Sequence, residues 1–163
     1  MINKNNKRKQ TIIVKYPFDF SNIIDKALVV IRDYSLDTLY EQDEDAFDNV
    51  LQSFLIKGVP KFTECLQDLS YDVDTASFNV DLTDLEMDIL ADYTVISWYE
   101  ANINDVLEFK ETLQDREFKR LATGQNLKPR QEYLTMLYTR VKQNTTNYLW
   151  SNFGSLPYFG GGA

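Results

Sequence analysis

The side chains that usually carry chemistry are scarce in this chain. There is no histidine, which removes the commonest general base and the commonest metal ligand. Cys65 is the one cysteine, so it has no base beside it in a dyad and no disulfide partner. Between Phe62 and Leu66 it reads as a small core filler. Carboxylates are plentiful, and a suitably spaced pair of them can hydrolyse a glycoside. Here they fall in runs, with none isolated in an apolar setting, whereas an acid catalyst needs surroundings that raise its pKa. Asp72 and Asp74 have the spacing that opens a calcium loop, but Ala76 stands at its fifth position and no Gly follows, which favours a polar turn. The run from Asp43 to Asp48 suits a helix N-terminus, where the macrodipole favours negative charge. The closing "GGGA" lacks the Lys and the following helix of a phosphate loop. The sequence therefore predicts no catalytic residue, no metal and no cofactor.

What remains is charge and surface. The formal net charge of −8 hides a polarity along the chain. Residues 1–18 carry five basic side chains and no acid, residues 62–109 twelve acids and no Lys or Arg, and residues 110–163 eight basic side chains against four acids. Such runs commonly do no more than solvate helix faces. Read as polarity, they match one copy's basic end to another copy's acidic middle, the complementarity that steers a head-to-tail, ring-closing contact. Phosphates would be repelled by the acidic body, so sequence-specific nucleic-acid binding is not expected. No window of about 18 uncharged apolar residues exists for a membrane span. The stretch after the basic start is too short and too polar for a signal peptide. Synthesis in a cytoplasm is the expectation, and it leaves the Asn144-Thr145-Thr146 sequon without consequence.

These residues must be positioned by helices. At 163 residues and 44% hydrophobic content the chain can build one core. Residues 1–18 form a basic arm in which "TIIVKY", Thr11 to Tyr16, could pair as a short strand before Pro17 ends it. Residues 19–150 form the helical domain and residues 151–163 an aromatic, Gly-rich tail. Helix one is expected from a Ser21 cap to about Tyr34, with Ile23, Ile24, Ala27, Leu28 and Ile31 on one face. The acidic stretch that follows should turn before helix two, which starts near Asp45 and repeats through Phe47, Val50, Leu51, Phe54 and Leu55. Gly58 and Pro60 interrupt it, and a further turn or two of helix is expected between Phe62 and Leu69. Alternation from Tyr71 to Leu82 suggests a short hairpin or an extended loop. Thr83 with Glu86 matches a capping box that opens helix three, expected to end near Ala101. That helix is apolar almost all round and should be central. Helix four follows over about Asn104–Arg120, Gly124 breaks the pattern, and Pro129 lies near the start of helix five. The sum is a mainly α fold: a bundle of four or five helices with a small β element, an extended arm and a tail.

Two quoted segments carry a family likeness. "DLTDLEMDILADYTVISWYEANIND" is followed by "DREFKRLATGQNLK" and a long last helix. An apolar helix with Trp98, then the D-x-x-F-K segment of Asp115, Phe118 and Lys119, then the turn Asn126-Leu127-Lys128, resembles small virion proteins at the head–tail junction of tailed phages of Gram-positive hosts. The likeness spans roughly residues 82–150. It implies a non-catalytic connector or neck subunit in the virion, copied around a ring beneath the portal. Its partners would be copies of itself, the portal and neighbouring neck or tail proteins. Contacts are then expected from Lys4, Lys7, Arg8 and Lys9 of the arm and from Phe153, Leu156, Tyr158 and Phe159 of the tail. Two other readings stay open: another phage tail-completion or assembly factor, and an acidic inhibitory module that imitates nucleic acid. Imitation needs carboxylates exposed in two spaced rows, and burial of helix three would count against it.

Overall fold

The computed structural model describes residues 19–31, 33–112 and 127–153. The arm with its expected strand, the segment 113–126 with Asp115, Phe118 and Gly124, and the tail beyond Phe153 lie outside the described residues. The fold is mainly α. Its helices are α1 (Phe20–Leu28), α2 (Tyr34–Gln42), α3 (Glu44–Gly58), α4 (Asp84–Thr112) and α5 (Leu127–Ser151). A 3-10 turn, Val59–Lys61, follows α3, and strands β1 (Tyr71–Asp72) and β2 (Ser77–Phe78) pair antiparallel as a minimal hairpin.

Acids start the first helices. The Asp19 carboxylate accepts a hydrogen bond from the Ser21 amide at 2.9 Å, so Asp19 rather than Ser21 caps α1. Asp43 caps α3 in the same way through the Ala46 amide, also at 2.9 Å. Each satisfies an amide that the helix itself cannot. The first helix is shorter than its periodicity suggests. It ends at Leu28, where the amides of Val30 and Ile31 both return to the Ala27 carbonyl at 3.0 Å. That tight reversal keeps Ile31 in the core while α2 forms in the stretch expected to turn. Leu36 of α2 is buried, and the separation from α3 shrinks to Asp43.

Gly58 and Pro60 end α3 as expected, but the glycine has a second task. A Cβ there would lie 3.1 Å from the Tyr93 carbonyl carbon and 3.2 Å from the Thr94 nitrogen, so α3 crosses α4 at backbone contact. The expected helical turns over Phe62–Leu69 do not form; the chain runs there as turns and bends. Phe62 is buried against the Tyr93 and Tyr148 rings, while Leu66 points outward. The hairpin pairs Tyr71 with Phe78 and Asp72 with Ser77. Asp72 spends its carboxylate on the Asp74 amide at 2.8 Å, and Ala76 takes the left-handed φ of 49° that closes the turn. This is the polar turn the spacing suggested. Phe20, Tyr71 and Phe78 meet edge to face and pin the hairpin to the start of α1.

Helix α4 is the centre: it packs on α1, on α3 and on α5. Every residue from Ile89 to Trp98 is buried. The break expected between Ala101 and Asn104 is absent, and helix three continues into the start of helix four. No Gly or Pro stands there, and the Asn102 amide donates to the Trp98 carbonyl one turn back at 2.9 Å instead of competing with the helix. Pro129 sits in the first turn of α5, where a missing N–H costs nothing.

Candidate functional site

Of the residues expected to bind partners, Lys4, Lys7, Arg8, Lys9, Leu156, Tyr158 and Phe159 lie outside the described residues. Phe153 is described. It follows the last turn of α5, 39% exposed, and stacks on Trp150 with ring centroids 5.4 Å apart and planes 14° apart. Trp150 is itself 66% exposed. The helical body thus ends in an aromatic plate at the point where the tail begins.

Two acids overturn the expectation that no carboxylate sits among apolar residues. Glu86, in the first turn of α4, is 1% exposed. Its Oε2 accepts from the Thr83 amide and hydroxyl, both at 2.8 Å, and from Gln67 Nε2 at 2.7 Å. In return the Glu86 amide donates to Thr83 Oγ1 at 3.3 Å, which completes the capping box. Oε1 accepts from the Tyr148 hydroxyl at 2.8 Å, and that hydroxyl accepts from the Leu66 amide at 3.0 Å. One carboxylate therefore ties the start of α4 to α5 and to the irregular segment after α3. Cys65 belongs to this network rather than to a purely apolar filling, with Sγ 3.9 Å from both Glu86 Oε1 and Tyr148 Oη. Burial pushes the thiol pKa up, with Glu86 adding to it, which leaves a poor nucleophile. Burial also lifts the Tyr148 phenol, the Leu66 amide offsetting part of the effect.

Asp92, further along α4, is the second buried acid. Arg140 of α5 grips both its oxygens, Nη2 on Oδ1 and Nε on Oδ2 at 3.3 Å, and Asn144 Nδ2 reaches Oδ2 at 3.3 Å. Burial nonetheless holds the carboxyl above the usual range, since Arg140 and Asn144 cancel only part of that effect. Each acid is occupied in joining α4 to its neighbours.

A third cluster is more open. Glu100 accepts from Lys61 of the 3-10 turn and from the Tyr138 hydroxyl of α5. Burial pushes Glu100 upward, but those two bonds outweigh it and hold the carboxyl below its usual range. The Tyr138 phenol is pushed up to about 12 by burial and by that carboxylate. The cluster borders a cavity of about 620 Å³ shared with Tyr93, Lys142, Thr145 and Leu149.

A second concavity lies among the first three helices. Helices α1, α2 and α3 enclose a groove of about 670 Å³. Phe20, Ile24, Leu28, Ile31, Leu36 and Phe47 supply its apolar wall, and Asp19, Asp25, Asp33, Asp37 and Asp48 its polar edge. Among the described residues no Lys or Arg lines it; Arg32, between two lining residues, lies outside them. Apolar wall and acidic edge together suit a basic, amphipathic segment. Composition could have pointed to the acids but not to their enclosure of an apolar wall.

Among the described residues no cluster of His, Cys, Asp and Glu is placed to hold a metal ion, and no helix is long and apolar enough to cross a membrane. No protein-family model matches the sequence, no curated protein matches it, and no solved structure matches the chain.

Proposed function

We propose that this chain is a non-catalytic structural subunit of a phage virion, one copy in a ring that connects the portal to the tail. The observation that carries the reading is the resemblance over residues 82–150, which covers the central α4 and the α5 packed on it. The use of the buried acids supports it. Glu86 and Asp92 are both spent on joining helices, and the groove and the aromatic end of α5 are surface features suited to binding. The exposed Trp150–Phe153 plate supports the tail as a partner-binding element, because stacked aromatics left in water are typical anchors of an interface. Mass spectrometry of purified virions tests the reading directly: the chain should be present at a fixed multiple per particle. Its absence from mature particles would transfer the proposal to an assembly factor that leaves before completion. The nucleic-acid-mimic reading is weakened by the burial of α4 from Ile89 to Trp98. It would regain ground if the purified chain displaced duplex DNA from a DNA-binding protein.

A further inference from the structure

We infer that the groove between α1, α2 and α3 is the docking site of this chain's own basic arm, residues 1–18. The inference goes beyond the connector reading and does not depend on it. The described chain begins at Asp19, and Asp19 is itself part of the groove wall, so the arm departs from the edge of the site. Its composition is the complement of that site. The arm holds five basic side chains and no acid, and between Lys9 and Lys15 it carries the apolar run Ile12-Ile13-Val14. The groove offers acids along its edge and an apolar wall behind them.

Reach and concentration favour the chain's own arm over a neighbour's. Helix α1 has nine residues and is about 13 Å long at ~1.5 Å per residue. Eight extended residues, Thr11 to Phe18, span about 26 Å. That is enough to double back along the helix after Pro17, which cannot continue a strand ladder. A segment tethered this closely meets its site at an effective concentration in the millimolar range. A second copy in dilute solution does not approach that value. Docking removes Ile12, Ile13 and Val14 and the half-buried Leu28 and Phe47 of the groove wall from water together, while Lys and Arg side chains settle against Asp25, Asp37 and Asp48 at its edge.

The test uses the full chain and two readouts. The first is trypsin cleavage after Lys9 and Lys15, compared with Asp25→Asn/Asp37→Asn/Asp48→Asn, whose three exposed sites make it safe for folding. In low salt the wild-type arm should be cut about tenfold more slowly than the variant's, and about 1 M salt should bring both to the fast rate, because it screens the edge charges. Circular dichroism should show the same helix content in both. The second readout is carbodiimide cross-linking of wild type after unlabelled and 15N-labelled chains have been unfolded and refolded together. Bonds from Lys4, Lys7, Lys9 or Lys15 to the groove acids should join only residues of the same isotope. Equal cleavage of wild type and variant in low salt overturns the inference. So does a population of mixed-isotope cross-links, which assigns the groove to a neighbour's arm, or a lack of arm-to-groove cross-links altogether.

Discussion

Glu86 and Asp92 are both buried acids of α4, six positions apart, yet their oxygens are satisfied by opposite means. Among the described residues Glu86 pairs with no cation. It stands at a helix N-terminus and accepts from an amide, two hydroxyls and a carboxamide, all neutral donors. The helix start supplies positive potential there, so amides and hydroxyls suffice. Asp92 lies beyond the reach of that potential, where every backbone amide is already used by the helix. It needs Arg140 from α5. The first acid builds a terminus and the second builds an interface. A carboxylate in α4 with neither kind of support should be intolerable, and partial support should cost partial amounts.

Ile96→Asp is the strongest test. Ile96 is 0% exposed and lies one turn beyond Asp92, inside the helix, where the backbone amides are already spent on the helix itself. An unpaired carboxylate there should cost more than about 5 kcal/mol, because burial of an unsupported charge is among the largest single-site penalties. Loss of the helical circular-dichroism signal is expected at neutral pH. A variant that melts like wild type would remove α4 from the centre of the fold.

Arg140→Met comes next. It leaves Asp92 buried with Asn144 alone and should cost about 2–3 kcal/mol at pH 7. That is below the full cost of breaking a buried pair, since Arg140 keeps 40% of its side chain exposed. The pH dependence is informative. Asp92 already titrates above the carboxylate range when folded, so its protonated form is favoured by the fold and its burial weighs on stability as pH rises past the unfolded value of 3.8. Removing Arg140 enlarges that penalty only where Asp92 is ionised. Denaturant melts should therefore show the variant's deficit greatest near neutrality and closing as Asp92 takes up its proton in acid. A deficit constant from pH 3 to 8 would mean that Arg140 acts through packing alone.

These two sites also divide what the sequence discloses from what it conceals. The capping box is local: Thr83 and Glu86 are three apart, and their partnership is written in the spacing. Tyr148, 62 residues on, is not, so the box was legible while its burial was not. Asp92 looks like any acid in an acidic stretch, because Arg140 stands 48 positions away. Helix boundaries divide the same way. Gly58 and Pro60 mark a real end, whereas the Asn-rich stretch near Asn102 looks like an end and is rescued by a bond to its own helix. The irregular Phe62–Leu69 segment has the local sequence of a helix, but its form is set by distant partners, Tyr148 on the Leu66 amide and Glu86 on Gln67. The groove could not be read at all, since it exists only after α1, α2 and α3 have packed.

Tyr148→Phe measures the network around Glu86 without removing the acid. The ring stays, so the contact with Phe62 is kept, while the Leu66 amide loses its partner and Glu86 Oε1 is left with the Cys65 thiol at 3.9 Å. About 1–2 kcal/mol of stability should be lost, the usual cost of leaving partly buried polar atoms unsatisfied. Amide exchange at Leu66 should accelerate more than exchange in the middle of α4. Uniform acceleration through the helix would show that the phenol supports the whole interface rather than the terminus.

Lys61→Met gives the smallest effect and completes the series, because Glu100 is an acid with cationic support at the surface. Its side chain is 35% exposed and that of Lys61 28% exposed, so water competes for both. The loss should stay below about 1 kcal/mol in low salt and shrink toward zero at about 1 M salt, where exposed pairs are screened. The pH window is lower than at Asp92. Glu100 titrates below the 4.5 of an ordinary glutamate, so the stability it contributes is fully present above that value and disappears as pH falls through its folded pKa. The Lys61→Met deficit should therefore survive to more acidic pH than the Arg140→Met deficit before it closes. If both close over the same range, or if Lys61→Met resists salt, Glu100 is as buried in effect as Asp92. The ordering from neutral donors at a helix start, through a guanidinium on a buried acid, to an ammonium on a partly exposed acid would then fail at its last step.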